Sequence, residues 1–494
     1  MVLSPFRNEE EPLTLHHDPV SIALERNPYL EGPYAPVHDE VVVPDLEVLE
    51  GEIPDDLNGV YVRNGPNPQH EPIGRYHWFD GDGMLHSVHF AEGRASYRNR
   101  WVRTEGFERE RAEGRAVWGG IMEPFGNNPP EAPEKDTANT DLVLHGDRLL
   151  ATWYRAGEPY ALDPLTLETL GAEDFGGTLR CEVSAHAKAD VSTGELMFFD
   201  YGIKPPYMRY GVVGPEGAVR HFVPIDLPGP RLPHDMAITD RHSILMDLPL
   251  IADEKAARRG RHKLDFRPDL PARFGVIPRH GRPEEIRWFE ADPCYIYHSI
   301  NAWEEGEEIV LDVCRVVQPQ PVSSSEGPLA QMLTYLRLDA HVHRYRFDMK
   351  SGCTREQRLD DENTEFPSID QRRNGTRARY ANTMHISNER SLAFDGLTRY
   401  DLESGDSRTH WYGKGRWGSE SPFAPRPGGD GEDDGYVVSY VYDTVTETSE
   451  VIVLDAARVD EGPVARVGIP VRVPLGFHAT WVPAERLPGG SARA

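Results

Sequence analysis

Cysteine is scarce, with only Cys181, Cys294, Cys314 and Cys353 in 494 residues and no Cys-x-x-Cys spacing among them. So sparse a set excludes a disulfide framework and a thiolate zinc site, and reduced, buried thiols are expected. Basic charge is also short: 53 Lys and Arg stand against 81 Asp and Glu, a formal net charge of −28. A nucleic-acid groove would have to overcome that field, so no nucleic acid is expected as a partner. No apolar run approaches the roughly 18 residues of a membrane span. The stretch from Met1 to Glu11 turns acidic without an apolar segment, and the chain is read as cytoplasmic. No Gly-x-Gly-x-x-Gly loop follows a strand-like run, so no nicotinamide or flavin is expected. Helical periodicity is confined to Asp253 to Arg259 and Leu329 to Leu336, both inside longer connections.

What is present is β-type patterning in a chain whose 38% hydrophobic residues can bury a large core. Val, Ile, Tyr and Phe alternate with polar residues over Arg148 to Tyr154, Gly194 to Tyr201, Glu308 to Val316, Val342 to Phe347 and Tyr436 to Tyr442. A turn-like echo recurs between such runs: an apolar residue, Asp, two residues, then Ser, Thr or Gly. It stands at Asp190, Asp348 and Asp401, with looser copies at Asp163 and Asp455. Asp348 and Asp401 are 53 positions apart, Asp401 and Asp455 are 54. That period is near the roughly 40 to 50 residues of a four-stranded propeller blade. No linker or composition shift divides the chain, and the acidic Gly428 to Gly435 stretch reads as a surface turn.

Four of the 20 histidines share a setting of small, aromatic or strand-like neighbours: Ser184-Ala185-His186, Leu232-Pro233-His234-Asp235, Tyr295-Ile296-Tyr297-His298 and Gly476-Phe477-His478. His298 and His478 read as residues of apolar, interior strands, where an imidazole without a partner costs about 1–3 kcal/mol, so these two rings call for one; His234, beside Pro and Asp, is ordinary for a strand end. Neutral imidazoles gathered from distant segments suit a redox iron with open positions.

These settings resemble those of the carotenoid cleavage oxygenases, the family that also includes the lignostilbene dioxygenases. The resemblance runs from about Leu46 to Pro483. Besides the histidines it rests on Tyr61-Val62-Arg63-Asn64-Gly65-Pro66, Tyr76-His77-Trp78-Phe79-Asp80-Gly81-Asp82-Gly83, Asp136-Thr137-Ala138-Asn139-Thr140, Glu365-Phe366-Pro367 and Glu432-Asp433-Asp434-Gly435. The Asp80 to Gly83 piece lacks the rest of a calcium-loop pattern and reads as a tight turn. The resemblance implies an all-β fold: a seven-bladed β-propeller spanning 1–494 as one domain with long inter-strand inserts. A dome of loops and short helices would cover an axial Fe(II), and residues 1–35 would form an amino-terminal arm. It implies His186, His234, His298 and His478 as the iron ligands and the catalytic centre. Glu365 and Glu420 match two of the three glutamates that accept hydrogen bonds from the ligand imidazoles. At the third position stands Tyr154, so either Glu158 reaches inward or one histidine uses another acceptor.

The implied reaction adds dioxygen across a C=C bond to give two carbonyl products. In stilbene-cleaving relatives a Tyr and a Lys recognise a phenol. Lys135 matches the Lys, whereas Ile121 stands at the Tyr position and cannot donate to a phenolate. A carotenoid or apocarotenoid is therefore favoured over a stilbenoid, with Ile121 and Lys135 as substrate contacts. Such an apolar polyene partitions into membranes, so peripheral membrane contact through an apolar patch is expected, with Leu245 to Ala252 and Leu329 to Leu336 as candidate segments, although buried core is the stronger reading of the first. The other classes are a non-catalytic propeller binding module, and an isomerase or hydrolase on the same scaffold.

Overall fold

The computed structural model describes residues 27–319, 336, 338–389 and 391–488. Its strands form seven blades that follow one another around an axis. Blade 1 pairs the carboxy-terminal strand Ala479–Pro483 with Gly59–Arg63, followed outward by Met84–Ala91 and Arg94–Trp101. This antiparallel pairing of a late strand with an early one closes the ring of blades. Blades 2 to 5 are simple four-stranded sheets whose inner strands are Asp141–His145, Lys188–Asp190, Met236–Ile238 and Tyr295–Glu305. Blade 6 starts at Thr364–Ser368. Blade 7 takes Arg416–Gly418 and Phe423–Pro425 on its inner side, runs through Gly435–Asp443 and Thr448–Asp455, and ends on Pro463–Ile469, to which Val48–Gly51 adds.

Burial follows position within the blade. In blade 3 the second strand, Glu195–Tyr201, is buried on both faces after its first residue, while the outer Val219–Ile225 alternates between half-buried and exposed positions. Inner strands are covered by neighbouring blades on both sides, whereas outer strands keep one face in water. The repeated Asp turns are part of this plan. Asp163, Asp348, Asp401 and Asp455 each close the third strand of a blade, and their carboxylates accept from the next backbone N–H groups: at 2.9 and 2.6 Å for Asp163, 2.8 and 3.0 Å for Asp348, and 3.0 and 3.2 Å for Asp401. The 53- and 54-residue spacing is thus a blade period. Asp190 makes the same turn at a different place, between the first and second strands of blade 3.

Long inserts build the dome on one face. One carries a helix, Glu105–Glu113, capped by Thr104 and ended by Gly114 at φ +68°. Its sequence shows no apolar stripe, since only Phe107 and Glu110 are buried, and pattern reading had no signal for it. The helix expected over Asp253 to Arg259 is present as Glu254–Arg258 with Asp253 as its cap. The segment proposed at Leu329 to Leu336 lies outside the described residues except for Leu336, as does the amino-terminal arm except for 27–35. That part of the arm is clamped to the dome: Tyr29 donates to or accepts from Ser391 Oγ at 3.1 Å, and Tyr34 donates to the Leu392 carbonyl.

Leu245 to Ala252 is core, as the stronger reading had it, and no membrane patch: Leu245, Met246, Leu248 and Leu250 are buried in and beside blade 4. The expectation of four buried thiols holds only in part. Of the four thiols, only Cys294 and Cys314 are buried, while Cys353 is exposed in the turn after Asp348. No described helix is long and apolar enough to cross a membrane.

Candidate metal centre

The four histidines converge on the propeller axis. His186 and His234 lie just before the inner strands of blades 3 and 4, His298 lies within that of blade 5, and His478 directly precedes that of blade 1. Their ring centroids are 4.6 to 5.2 Å apart for five of the six pairs. Ligand atoms of His186, His298 and His478 all lie within 4.8 Å of one another, and all three residues are buried. His234 approaches through its Nε2, 3.2 Å from Nε2 of His186. Two nitrogens bound to one ion at about 2.1 Å and at right angles are about 3 Å apart, so this separation fits a shared cation.

Local backbone geometry serves the cluster. His186 has φ +64° and Phe366, beside Glu365, has φ +52°, left-handed conformations that bulky residues adopt only when the surrounding structure holds them. His478 is positioned by a close approach of two chains. A Cβ built on Gly65 would lie 2.8 Å from the Gly476 Cα, so neither chain leaves room for a side chain there. Phe366 stacks on the His478 ring at 4.7 Å and 15°.

Carboxylates fix the outward nitrogens. His298 Nδ1 donates to Glu365 Oε2, and His478 Nδ1 donates to Glu420 Oε1 at 3.2 Å. The other Glu420 oxygen accepts from the Ala479 backbone N–H. With Nδ1 protonated, each Nε2 carries a lone pair toward the axis. His298 Nε2 is buried and has no hydrogen-bond partner, an orphan that a cation at the axis would satisfy. Burial, helped by the neighbouring imidazoles, holds His298 and His234 well below the usual histidine range, which keeps them neutral and able to ligate. For His478 burial works in the same direction, but Glu420 outweighs it and the net shift is upward. Burial raises Glu365 well above the usual carboxylate range. The donor set fits a divalent transition metal.

Of the two alternatives for the third acceptor, Glu158 is not the one present. Glu158 is exposed, and its carboxylate accepts from Tyr160 Oη at 3.5 Å, away from the histidines. Tyr154 lines an apolar cavity instead. The acceptor present is Asp141, whose Oδ2 is 3.0 Å from His186 Nδ1. It was legible only as the residue after the quoted Asn139-Thr140, at the start of an inner strand.

The two proposed substrate contacts lie together and at a distance from the axis. Ile121 and Lys135 line one pocket with Tyr76, Phe79, Trp118 and Trp153. Lys135 is not solvated. Its ammonium group sits between Asp82 and Glu110, 2.6 Å from the latter, with 10% of the side chain exposed. Next to it Asp136 accepts from the Ala138 and Glu158 backbone N–H groups, at 3.0 and 2.8 Å. Burial nevertheless raises its carboxyl to about 7. The folded form therefore holds this proton to higher pH than the unfolded chain does, and stability falls as pH rises from about 4 to 7. Urea unfolding at several pH values should show a shallower fall across that window in Asp136→Asn, by an amount on the order of 2–4 kcal/mol.

Phe79 lines both this pocket and a second one that reaches the metal centre. The inner cavity is bounded by Thr140, Tyr154, Tyr297, Leu336, Leu338, Phe366, Leu392, Phe477 and the rings of His234, His298 and His478. On the opposite side the cluster faces a polar channel lined by Asp141, Lys188, Asp235, Gln371 and Asn374. The dome-side face of the histidine cluster is apolar, while the other carries charged and amide groups among apolar ones.

With this geometry in place, comparison with known proteins is decisive. A family profile described as retinal pigment epithelial membrane protein matches residues 34–483. A carotenoid 9,10(9',10')-cleavage dioxygenase from Crocus sativus is 37% identical over 497 residues, covering 93% of this chain and 90% of that protein. The chain belongs to the carotenoid cleavage oxygenase family. An isoeugenol monooxygenase from Pseudomonas nitroreducens is 32% identical over 479 residues, with 93% and 99% covered. The crystal structure of a lignostilbene dioxygenase from Pseudomonas brassicacearum superposes with a TM-score of 0.84 at 31% identity, covering 93% of this chain and 99% of that one. This member of the family is an oxygenase on a seven-bladed propeller, and the reading as a non-catalytic binding module is set aside.

Proposed function

We propose that this oxygenase is an Fe(II) dioxygenase that cleaves one C=C bond of a carotenoid or apocarotenoid into two carbonyl products. His186, His234, His298 and His478 would hold the iron. Held by these four neutral donors, the iron would supply dioxygen binding and activation. The chain's own residues do the positioning. Glu365 and Glu420 hold the His298 and His478 rings in one tautomer and orientation. Phe79, Phe366, Phe477, Leu338 and Leu392 exclude water from the dome side and confine a flat conjugated chain beside the imidazoles.

The observation that carries the substrate reading is the pairing of that aromatic and aliphatic cavity with the engaged state of Lys135. An ammonium already shared by Asp82 and Glu110 has no uncompensated charge for a phenolate, and Ile121 offers no hydroxyl. The Crocus relative, named for carotenoid cleavage, agrees with this choice. A stilbenoid is the second reading, favoured by the likeness to a lignostilbene dioxygenase and by the phenol rings of Tyr154 and Tyr297 at the cavity wall.

The test is incubation of the Fe(II)-loaded protein with apocarotenals, hydroxystilbenes and isoeugenol under labelled dioxygen, with products identified by mass. Aldehydes from the polyene carrying label support the proposal. Cleavage confined to hydroxystilbenes or isoeugenol, or polyene isomerisation without oxygen uptake, would overturn it.

A further inference from the structure

The site draws one polar group from the inner side of each of the seven blades. In order around the axis these are His478, Asp141, His186, His234, His298, Glu365 and Glu420, from blades 1 to 7. Consecutive inner strands touch from blade 1 through to blade 6, and blade 7 returns to blade 1. Each carboxylate serves a histidine on an adjacent blade. Glu365 of blade 6 accepts from His298 on blade 5, Glu420 of blade 7 from His478 on blade 1, and Asp141 of blade 2 from His186 on blade 3. His234 on blade 4 has a histidine blade on either side. Among the described residues no carboxylate is hydrogen-bonded to it, and its ring packs edge-on against Tyr297 at 5.2 Å.

We infer that Asp141 is a positioning residue of the metal centre, holding His186 as the Nδ1–H tautomer with Nε2 toward the axis, and that His234 is the one ligand imidazole held without a carboxylate. This rests on the reading of the four histidines as metal ligands. Three observations support it. The His186 backbone is in a left-handed conformation, so the chain alone does not orient the ring and a second anchor is required. Asp141 is itself anchored: Oδ1 accepts from the Leu142 backbone N–H at 2.7 Å, which leaves Oδ2 for His186. Finally, the three imidazoles that have carboxylates are the three whose ligand atoms gather within 4.8 Å, and His234 is the one left out of that triple. The placement of the acid is also chain-specific in its logic. Tyr154 stands where the family pattern has a glutamate, and it points a phenol ring into the apolar cavity. A carboxylate on the polar-channel side, at Asp141, keeps that cavity free of charge.

The experiment titrates Co(II) and, anaerobically, Fe(II) into the apo full-length protein and its Asp141→Ala, Asp141→Asn and Glu158→Gln variants. Affinity is followed by calorimetry and the Co(II) ligand-field absorption is recorded. Asp141→Ala is expected to bind roughly 10- to 100-fold more weakly with shifted bands, as for loss of other outer-shell partners. Asp141→Asn, which keeps a carbonyl acceptor for Nδ1–H, falls between Ala and wild type, and Glu158→Gln matches wild type. Melting of the apo forms separates folding from ligation, and if the Ala variant does not fold, the Asn variant decides. Wild-type affinity with an unchanged spectrum in the folded Asp141 variants, or a change in melting alone, overturns the role of Asp141. Failure of the wild type to take up either metal overturns the ligand assignment itself, and this inference with it.

Discussion

Replacing His298 with alanine is expected to abolish stoichiometric iron binding and reduce oxygen uptake to background. The ring is buried, its Nε2 has no partner within the protein, and its Nδ1 is fixed by Glu365, so it contributes a preoriented lone pair that no neighbour can replace. Its removal also leaves Glu365, which is fully buried, with the Phe366 backbone N–H as its remaining donor, a loss of about 1 kcal/mol or more for the missing hydrogen bond. The apo variant should therefore melt somewhat below wild type, yet remain folded. His341→Ala is the matching control. That histidine is also buried, but its nitrogens are occupied by the Glu362 carbonyl and Asp339, remote from the axis. Metal analysis should find iron in His341→Ala and none in His298→Ala; full occupancy in the latter would remove the basis for the metal centre.

Lys135→Ala is expected to lower stability by about 3–5 kcal/mol, the range for breaking a buried ion pair by removing one partner. Its ammonium group neutralises two carboxylates, Asp82 and Glu110, whose side chains are each only 4% exposed. Glu110 also accepts from the Val117 and Trp118 backbone N–H groups, so the loss reaches the helix Glu105–Glu113 and the loop carrying Ile121. Denaturant unfolding measures the effect. Combining Lys135→Ala with Asp82→Asn and Glu110→Gln should recover much of it, because neutral partners leave no buried charge uncompensated. A residue free to meet substrate would behave differently: the single variant would unfold like wild type while its preference among polyenes and phenols changed.

Much of the architecture was legible from local pattern. The alternating run Glu308 to Val316 coincides with a strand, and the Asp turns mark the ends of third strands at the blade period. Both signals are local, because side-chain alternation and a carboxylate accepting from the next two N–H groups involve only a few consecutive residues. The helix Glu105–Glu113 escaped because it rests on the dome through only two buried residues. The histidines were legible through their small and aromatic neighbours, and Glu365 and Glu420 through the family motifs. Asp141 was not, since an Asp at the start of a strand is ordinary in sequence and becomes exceptional only when the next blade presents His186 3.0 Å away. The ion pairs of Lys135 were not legible for the same reason, its neighbours in sequence being Glu134 and Asp136 while its partners in space are Asp82 and Glu110.

By itself, then, the order of residues determined the strand content, the blade period and the imidazole and carboxylate groups available at the axis. These depend on local hydrogen bonding and on residue type. Tertiary structure decided which acid meets which imidazole, which lysine is spent within the protein, and which face of the cluster is oily. Those outcomes depend on the closure of the ring, which brings the inner strands of successive blades into contact and joins residues as distant as Asn64 and His478 by a 2.9 Å backbone hydrogen bond.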